Sequence, residues 1–353
     1  MIRNPEIFIC RKGSINTEMG KTMAKRRMKE KEAIILSGIL GFVILLMASP
    51  FWVPMIWGSA EPRNTQVVSD SSVKVKEKEE ETRIPQNLPV VDESGMTLGS
   101  RINPPGGYTR IAVEEKSLGD FLRNYELKKQ AGAVKMWDGT KKKDSGTAQA
   151  VFKLPMEKED MQRAAGAVIR MYAEYFWSRR MFDKISFQFI NGFQAEYQKW
   201  QEGFRILTDA TGSIWVNGGS YDESKENLKE YLHVVLTYTS AESMKKESEK
   251  VKWEDLQIGD IFLQAGDTSD VAMIVDVCEN EQGQKAFLLA KGGNPAQQFH
   301  LLKNPAHDDD PWYYAGEMQY PFQTAEGEFA KGSLRRLKYL EGESDGNSSP
   351  DTQ

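Results

Sequence analysis

The side chains with the clearest potential for chemistry are Asp260, Asp270 and His300. Asp260 lies within one apolar run, Asp270 begins the next one, and His300 lies within a later one. A carboxylate and an imidazole within hydrogen-bond reach, directly or through one water, can act as a general acid and base. If the chain is an enzyme, we expect such a pair to come from these three residues and Asp276.

Three short apolar runs, separated by turns that contain Gly and Asp, position the aspartates. They cover 258–264, 270–277 and 285–290, and this pattern predicts an antiparallel β-meander. A further strand predicted over 298–302 carries His300. The sheet edge at Asp270 is therefore the first place to search for a site.

Two apolar stripes with three- and four-residue spacing predict long helices over 157–182 and 222–248. Shorter elements are predicted at 106–111, 117–125, 133–139 and 185–190. Helices that precede a run of strands indicate an α+β domain, here an antiparallel sheet packed with two long helices over 101–340.

Charge and composition exclude several classes of function. The net charge of −5 and the pI of about 5.6, with no stripe of Lys and Arg in the folded part, argue against nucleic-acid binding. No Cys-x-x-Cys spacing, phosphate loop or dinucleotide fingerprint occurs, so no metal or cofactor is expected. The acidic run at 307–310 lacks the ligand set of a calcium loop and is predicted to be a surface turn.

A run without charged residues over 33–58 is long enough to cross a bilayer as a helix. The basic cluster over 21–31 predicts that its N-terminal side is cytoplasmic, and Trp52 and Trp57 suit the membrane interface. We therefore expect a single-pass signal anchor. A signal peptide cleaved near Ser59 is the alternative, and both place the main domain outside the cytoplasm.

The remaining segments complete the predicted organisation. Residues 1–32 form a cytoplasmic segment, 59–100 a polar flexible linker, and 341–353 a disordered tail, because their composition cannot bury enough apolar surface to fold. Cys10 and Cys278 would lie on opposite sides of the membrane and cannot pair. Cys278 is expected to be a buried apolar residue.

Several short motifs, taken in order and spacing, resemble a bacterial family known as domain of unknown function 4846, over about 105–340. The motifs are Trp137-Asp138-Gly139, Arg170 with Ala173-Glu174-Tyr175, Lys199-Trp200 with Gly203 and Arg205, Ile258-Gly259-Asp260, Asp276-Val277, Leu288-Leu289-Ala290, Pro295-Ala296-Gln297, His300 with Leu302-Lys303-Asn304-Pro305, and Pro311-Trp312-Tyr313. The resemblance implies no known reaction.

The chain departs from this family pattern in two places. Ser269-Asp270 stands where the family usually has Gly-His, and Lys291-Gly292-Gly293 stands where it usually has Gln-Ser-aromatic. If the family has an activity, it would be expected at these positions.

A looser resemblance is to the NlpC-type papain-fold endopeptidases of the cell wall. Those enzymes have a helix with a nucleophilic Cys, then a Gly-Asp strand, then a strand that begins with a catalytic His. Here the order would be helix 222–248, Gly259-Asp260 and Ser269-Asp270. Thiolate chemistry needs both the Cys and the His, and both are missing. The resemblance therefore implies a papain-like fold without its peptidase activity.

These observations predict a membrane-anchored, extracytoplasmic domain that is not an enzyme. Its expected partner is peptidoglycan or another envelope component such as a protein, and its membrane contact is the N-terminal helix. The alternative is a cell-wall hydrolase or transferase with a degenerate papain-like site. A scaffold component without a small ligand is a third interpretation. Trp137 and 312–314 would suit a sugar-binding platform, although core or rim positions are the simpler expectation for these aromatic residues.

Overall fold

The computed structural model describes residues 88–129 and 133–340. The predicted span over 33–58, most of the predicted linker and the tail over 341–353 lie outside these residues. None of the helices in the described ranges is long and apolar enough to span a bilayer. Residues 88–100, which the sequence analysis assigns to the linker, belong to the fold, because Leu98 is buried and Asn103 N donates to Val90 O at 2.7 Å.

The chain forms a mixed α+β domain around an antiparallel sheet, as expected for this fold class. The strands are β1 (Tyr108–Arg110), β2 (Ala148–Val151), β3 (Ser186–Gln188), β4 (Gln194–Glu196), β5 (Phe204–Asp209), β6 (Gly212–Asn217), β7 (Ser248–Lys250), β8 (Ile261–Gln264), β9 (Asp270–Asn280), β10 (Lys285–Lys291), β11 (His300–Leu302), β12 (Tyr313–Tyr314), β13 (Phe322–Thr324), β14 (Gly327–Phe329) and β15 (Leu334–Leu337). The helices are α1 (Leu98–Arg101), α2 (Leu118–Arg123), α3 (Ala164–Ser178), α4 (Tyr197–Gln201), α5 (Lys225–Tyr238) and α6 (Ala241–Lys246).

The main sheet has the order β2-β11-β10-β9-β8-β15-β7, with β1 beside β9 and β12 beside β10. The predicted meander is confirmed as β8, β9 and β10, which pair with their neighbours in the chain. Its turns contain Gly266 and Gly283, both with positive φ, a conformation that glycine adopts without steric cost. A bulge between Leu288 and Leu289 allows the long β9 strand to bend.

The two faces of this sheet carry different layers. Arg123 of α2 reaches Asp276 on one face, and α2 packs against α3 through Phe121 and Tyr175, whose ring centroids are 5.4 Å apart. The β13–β14 hairpin covers the other face, where the ring of Phe322 lies 4.7 Å from that of Phe262. The sheet is therefore enclosed between a helical layer and a small β-hairpin.

The helix predicted over 157–182 is α3, and the prediction was wrong about its beginning. The segment before Ala164 forms turns because the Asp160 carboxylate accepts a hydrogen bond from the Ala296 backbone at 2.7 Å and also pairs with Arg163. A side chain that bonds to a distant loop competes with the first helical turn. Tyr172 then fixes α3 on the sheet by donating to Gly259 O at 2.9 Å.

The single helix predicted over 222–248 is wrong, because the chain forms α5 and α6 with a break at Thr239 and Ser240. Ser240 is extended, and its hydroxyl accepts hydrogen bonds from the backbones of Glu242 and Ser243 in a capping box. The apolar period continues through this break, and for that reason the sequence pattern did not show it. Helix α5 packs on α3, where a Cβ at Gly166 would lie 2.9 Å from Leu236 Cδ2, so a larger residue there would require Leu236 to shift.

The shorter elements mostly agree with the sequence. Strand β1, strand β3 and helix α2 lie where they were expected, and Ser117 caps α2 by accepting from Asp120 N. The strand predicted over 133–139 is wrong. Only the isolated bridges at Lys135 and Met136 form there, since Asp138 turns the chain by accepting hydrogen bonds from Thr140.

Candidate functional site

Asp260 is a structural ion-pair residue at the start of β8. It is 1% exposed, and both of its carboxylate oxygens accept from the Arg336 guanidinium, at 2.8 and 2.9 Å. Gln257 N donates to it as well. Burial raises the pKa of Asp260, while the bonds and charge of Arg336 oppose that rise. The carboxylate is thus fully engaged in joining β8 to β15.

Asp276 has a similar role on the helical face of the sheet. Its side chain is fully buried and accepts from Arg110 Nε at 2.6 Å and from Arg123 Nε at 2.8 Å. Two guanidinium groups compensate the cost of burying the carboxylate. Asp276 therefore joins β1 and α2 to the central strand β9.

His300 is buried on β11 with both ring nitrogens engaged. Its Nδ1 lies 2.9 Å from Gln298 O, and its Nε2 lies 2.8 Å from Glu326 Oε1. Glu326, in the β13–β14 turn, also accepts from Thr147 Oγ1 at 2.6 Å and from Lys142. Burial raises the pKa of Glu326, but the bonds and charges of these partners outweigh it and hold the pKa well below its usual range.

Asp270 opens β9 and forms an ion pair with Lys291, at the end of β10. The Asp270 Oδ2 to Lys291 Nζ distance is 2.5 Å, and the lysine side chain is 6% exposed while that of the aspartate is 24% exposed. These are the two positions at which the sequence departs from the family pattern. The structure joins the two departures as one charged pair.

Among the described residues, no hydrogen bond joins any two of the four candidates. Lys291 is directly opposite His300 on β11, and it lies opposite Ala272 on β9, so Lys291, His300 and Asp270 share one face of the sheet. Asp270 and His300 nevertheless bind different partners, Lys291 and Glu326. Asp260 pairs at β15, and Asp276 faces the helical layer. The four candidates thus lie on the predicted strands or beside them, but their partners were not foreseen from the sequence.

A cleft of about 550 Å³ opens where the N-terminus of α3 meets the end of α5 and the β8–β9 turn. Of the four candidate residues, only Asp270 lines it. Arg163 contributes a guanidinium, its side chain 59% exposed and paired with Asp160, and Asp267 contributes an exposed carboxylate. Asn294 crosses the cleft by donating to Ser269 O at 2.5 Å. The cleft therefore offers both charges and an amide.

The other candidate residues from the sequence are either buried in the core or located at the surface. Trp312 is fully buried and its indole donates to Asn103 O at 2.8 Å, whereas Trp137 is 36% exposed at the surface. His307 bonds to Glu317, and the residues that the structure describes hold no group of three or more metal-binding side chains. Burial raises the pKa of the Cys278 thiol well above its usual value, which makes it unreactive.

Motif residues outside the sheet hold the helices together. Arg170 on α3 is 4% exposed and pairs with Glu157 at 3.2 Å and Glu174 at 2.9 Å. The guanidinium of Arg205 lies 4.4 Å from the ring of Trp200. These contacts give the recurring charged and aromatic motifs a role in packing.

The site therefore defines a class of protein: an α+β domain with a mixed-charge surface cleft, in which the candidate acids and the histidine are paired within the fold. The chain belongs to the family described as domain of unknown function (4846), whose model matches residues 98–336. No curated protein and no solved structure shows a significant match to it.

Proposed function

We propose that this chain is a membrane-tethered, extracytoplasmic domain that binds a component of the cell envelope without chemically changing it. The binding site is the cleft at the N-terminus of α3. The observation that carries this proposal is the state of Asp270, which is the only candidate acid in the cleft and is already paired with Lys291. Both of its oxygens are already engaged, Oδ2 with Lys291 Nζ and Oδ1 with Val271 N, so a reacting group in the cleft would have to compete with these partners.

The charge distribution of the cleft favours a peptide as the ligand. Arg163 can bind a carboxylate, Asp267 can bind an ammonium group, and Asn294 can exchange hydrogen bonds with an amide. Small residues, Ala165 among them, also line the cleft and leave room for a ligand. A peptide stem of peptidoglycan carries all of these groups, whereas a neutral glycan would leave the charged ones unused.

The papain-like alternative has less support from the geometry. In that alternative, the N-terminus of the helix predicted over 222–248 would supply the nucleophile to the side chains at positions 270 and 291. That N-terminus belongs to α5 and lies near the C-terminal end of α3, where Lys225 pairs with Glu174, whereas Asp270 lines the cleft at the N-terminus of α3. We therefore favour binding over a degenerate hydrolase or transferase site.

The proposal is tested by sedimentation of the detergent-solubilised chain with purified peptidoglycan. We expect the wild-type protein to sediment with the sacculi, and Arg163→Ala to weaken the apparent affinity about tenfold, because a charge-assisted hydrogen bond is worth about 1.5 kcal/mol. Arg180→Ala is the matched control. Arg180 is also exposed and paired with a surface carboxylate, Glu223, but it does not line the cleft.

Two results would contradict the proposal. The wild-type protein could stay in solution with sacculi of every composition tested, or the two arginine variants could lose binding equally. The second result would mean that capture depends on general surface charge. Addition of free peptide stems as competitors separates recognition of the peptide from recognition of the glycan.

A further inference from the structure

Exposed apolar side chains concentrate at one part of the domain. Eight large apolar side chains are exposed among the described residues, and five of them lie between positions 190 and 221. The most exposed aliphatic ones are Ile190 at 55%, Leu207 at 54% and Ile214 at 58%. Single exposed apolar residues are ordinary, but a local group of them marks a contact surface.

The β5–β6 hairpin presents two of these residues side by side. Leu207 and Ile214 are directly opposite each other in the hairpin, so their side chains share a face. Ile206 and Trp215 share the other face, and the ring of Trp215 lies 5.5 Å from that of Phe193 in the domain. The hairpin is thus held by its inner face, and its outer face is left to the solvent.

The β3–β4 turn is hydrogen-bonded to the β5–β6 hairpin. Asn191, in the β3–β4 turn, donates to Ser213 Oγ at 2.8 Å, which joins that turn to the hairpin next to Ile214. Ile190 precedes Asn191 in this turn. Two of the exposed aliphatic side chains therefore lie on the outer face of the hairpin and the third lies on a turn that is bonded to the hairpin, and we call Ile190, Leu207 and Ile214 the aliphatic patch.

The length of the chain before the domain limits how far the patch can lie from the membrane. Only 29 residues, from 59 to 87, separate the predicted span from the described domain, and a chain of that length reaches at most about 100 Å. A domain of roughly 250 residues is itself about 45 Å across. A tethered domain would therefore always be within about two of its own diameters of the bilayer.

The size and charge of the patch fit contact with a lipid surface better than contact with a protein partner. A hairpin face of two six-residue strands covers roughly 200 Å², well below the roughly 800 Å² per partner of a stable interface. The hairpin contains one base, Arg205, and one acid, Asp209. A neutral apolar tip requires no anionic lipid, and it can insert its side chains among acyl chains near the headgroups.

We propose that the aliphatic patch inserts into the outer face of the membrane that holds the chain, so that the β5–β6 hairpin is a second membrane contact. This inference rests on the membrane tether in the proposed function. Docking at a fixed point would restrict how the domain is oriented above the bilayer. This second membrane contact does not involve the cleft and is independent of what the cleft binds.

The test uses the full chain in phosphatidylcholine vesicles, with Cys10 replaced by Ser so that the introduced cysteine is labelled selectively. An environment-sensitive fluorophore is attached through Ala210→Cys at the hairpin tip, or through Gln282→Cys in the β9–β10 turn for comparison. We expect nitroxide-labelled lipids to quench the fluorophore at 210 at least fivefold more than the one at 282. Leu207→Ser with Ile214→Ser should reduce quenching at 210 to the level at 282.

A matched control replaces two exposed apolar residues outside the patch, Leu88→Ser with Met96→Ser, which should leave the quenching at 210 unchanged. A chain that floats with the vesicles but shows equal quenching at 210 and 282 overturns the docking proposal alone. A chain that does not float contradicts the tether, and the docking proposal fails with it. A fluorescence change at 210 that follows protein density and not the lipid quencher would assign the patch to a second copy of the chain and would also overturn it.

Discussion

The Asp270–Lys291 pair is the most informative contact at the residue scale. Asp270 is partly exposed and could be hydrated alone, whereas Lys291 is buried and has no other partner among the contacts of the described residues. An ion pair with one buried member is asymmetric, because the cost of losing a partner depends on which charge is left behind. The lysine is therefore the member that needs the pair.

This asymmetry gives a prediction for stability. Asp270→Asn should lower the free energy of unfolding by about 3 kcal/mol, since it leaves the buried ammonium unpaired. Lys291→Met should cost only about 1 kcal/mol, because water can reach the remaining carboxylate. The double variant should be more stable than Asp270→Asn alone. Urea unfolding of the four proteins measures all of these values, and equal losses in the two single variants would refute the asymmetry.

The partners of the candidate residues could not be predicted from the sequence, because each partner is far from its candidate along the chain. Lys291 is 21 positions from Asp270, Glu326 is 26 from His300, and Arg336 is 76 from Asp260. No local period relates such residues, and their meeting depends on the sheet order. The departures at 270 and 291 were visible in the sequence as separate positions, but only the folded structure shows that they form one ion pair.

At the scale of elements, the β13–β14 hairpin is fixed to the sheet by aromatic packing and by one buried carboxylate. Phe322 and Phe329 pack on Phe262, and Glu326 in the turn binds His300 and Lys142. The aromatic contacts are independent of pH. The contribution of Glu326 is not, because its pKa is lowered in the folded protein.

The sign of this pH dependence follows from linkage. A carboxyl group whose pKa is lowered on folding stabilises the protein above its ordinary pKa, and that stabilisation is lost as the pH falls toward the folded value. We therefore expect Glu326→Gln to be about 2 kcal/mol less stable than wild type at pH 7. The difference should shrink between pH 5 and pH 3. Denaturant unfolding across this range measures it, and a constant difference would exclude an ionised Glu326 in the fold.

Elements were predictable where the signal is local. The meander consists of short, continuous apolar runs separated by turns that contain glycine, so all three of its strands were found from the sequence. The start of α3 and the break between α5 and α6 were missed because Asp160 and Ser240 act through hydrogen bonds that interrupt an otherwise continuous apolar period. Apolar periodicity therefore predicted the position of α3 correctly but did not predict these helix boundaries.

At the scale of the whole molecule, the polar groups are divided between two tasks. Asp276 and His300 hold the sheet to its covering layers, Asp260 and Asp270 form ion pairs within the sheet, and charged groups are left at the surface of the cleft. The aliphatic patch is separate from both, on the β5–β6 hairpin. The proposed tethered binding domain would use the cleft and the aliphatic patch on a fold that these pairs hold together.

The most direct test of this account is a search for products. Purified peptidoglycan is incubated with the wild-type chain and the soluble products are separated by chromatography and identified by mass. We predict that the protein binds the sacculi and that the released fragments do not exceed those in a protein-free control. Fragments released by wild type but not by Asp270→Ala would contradict the central claim and would make Asp270 a catalytic residue.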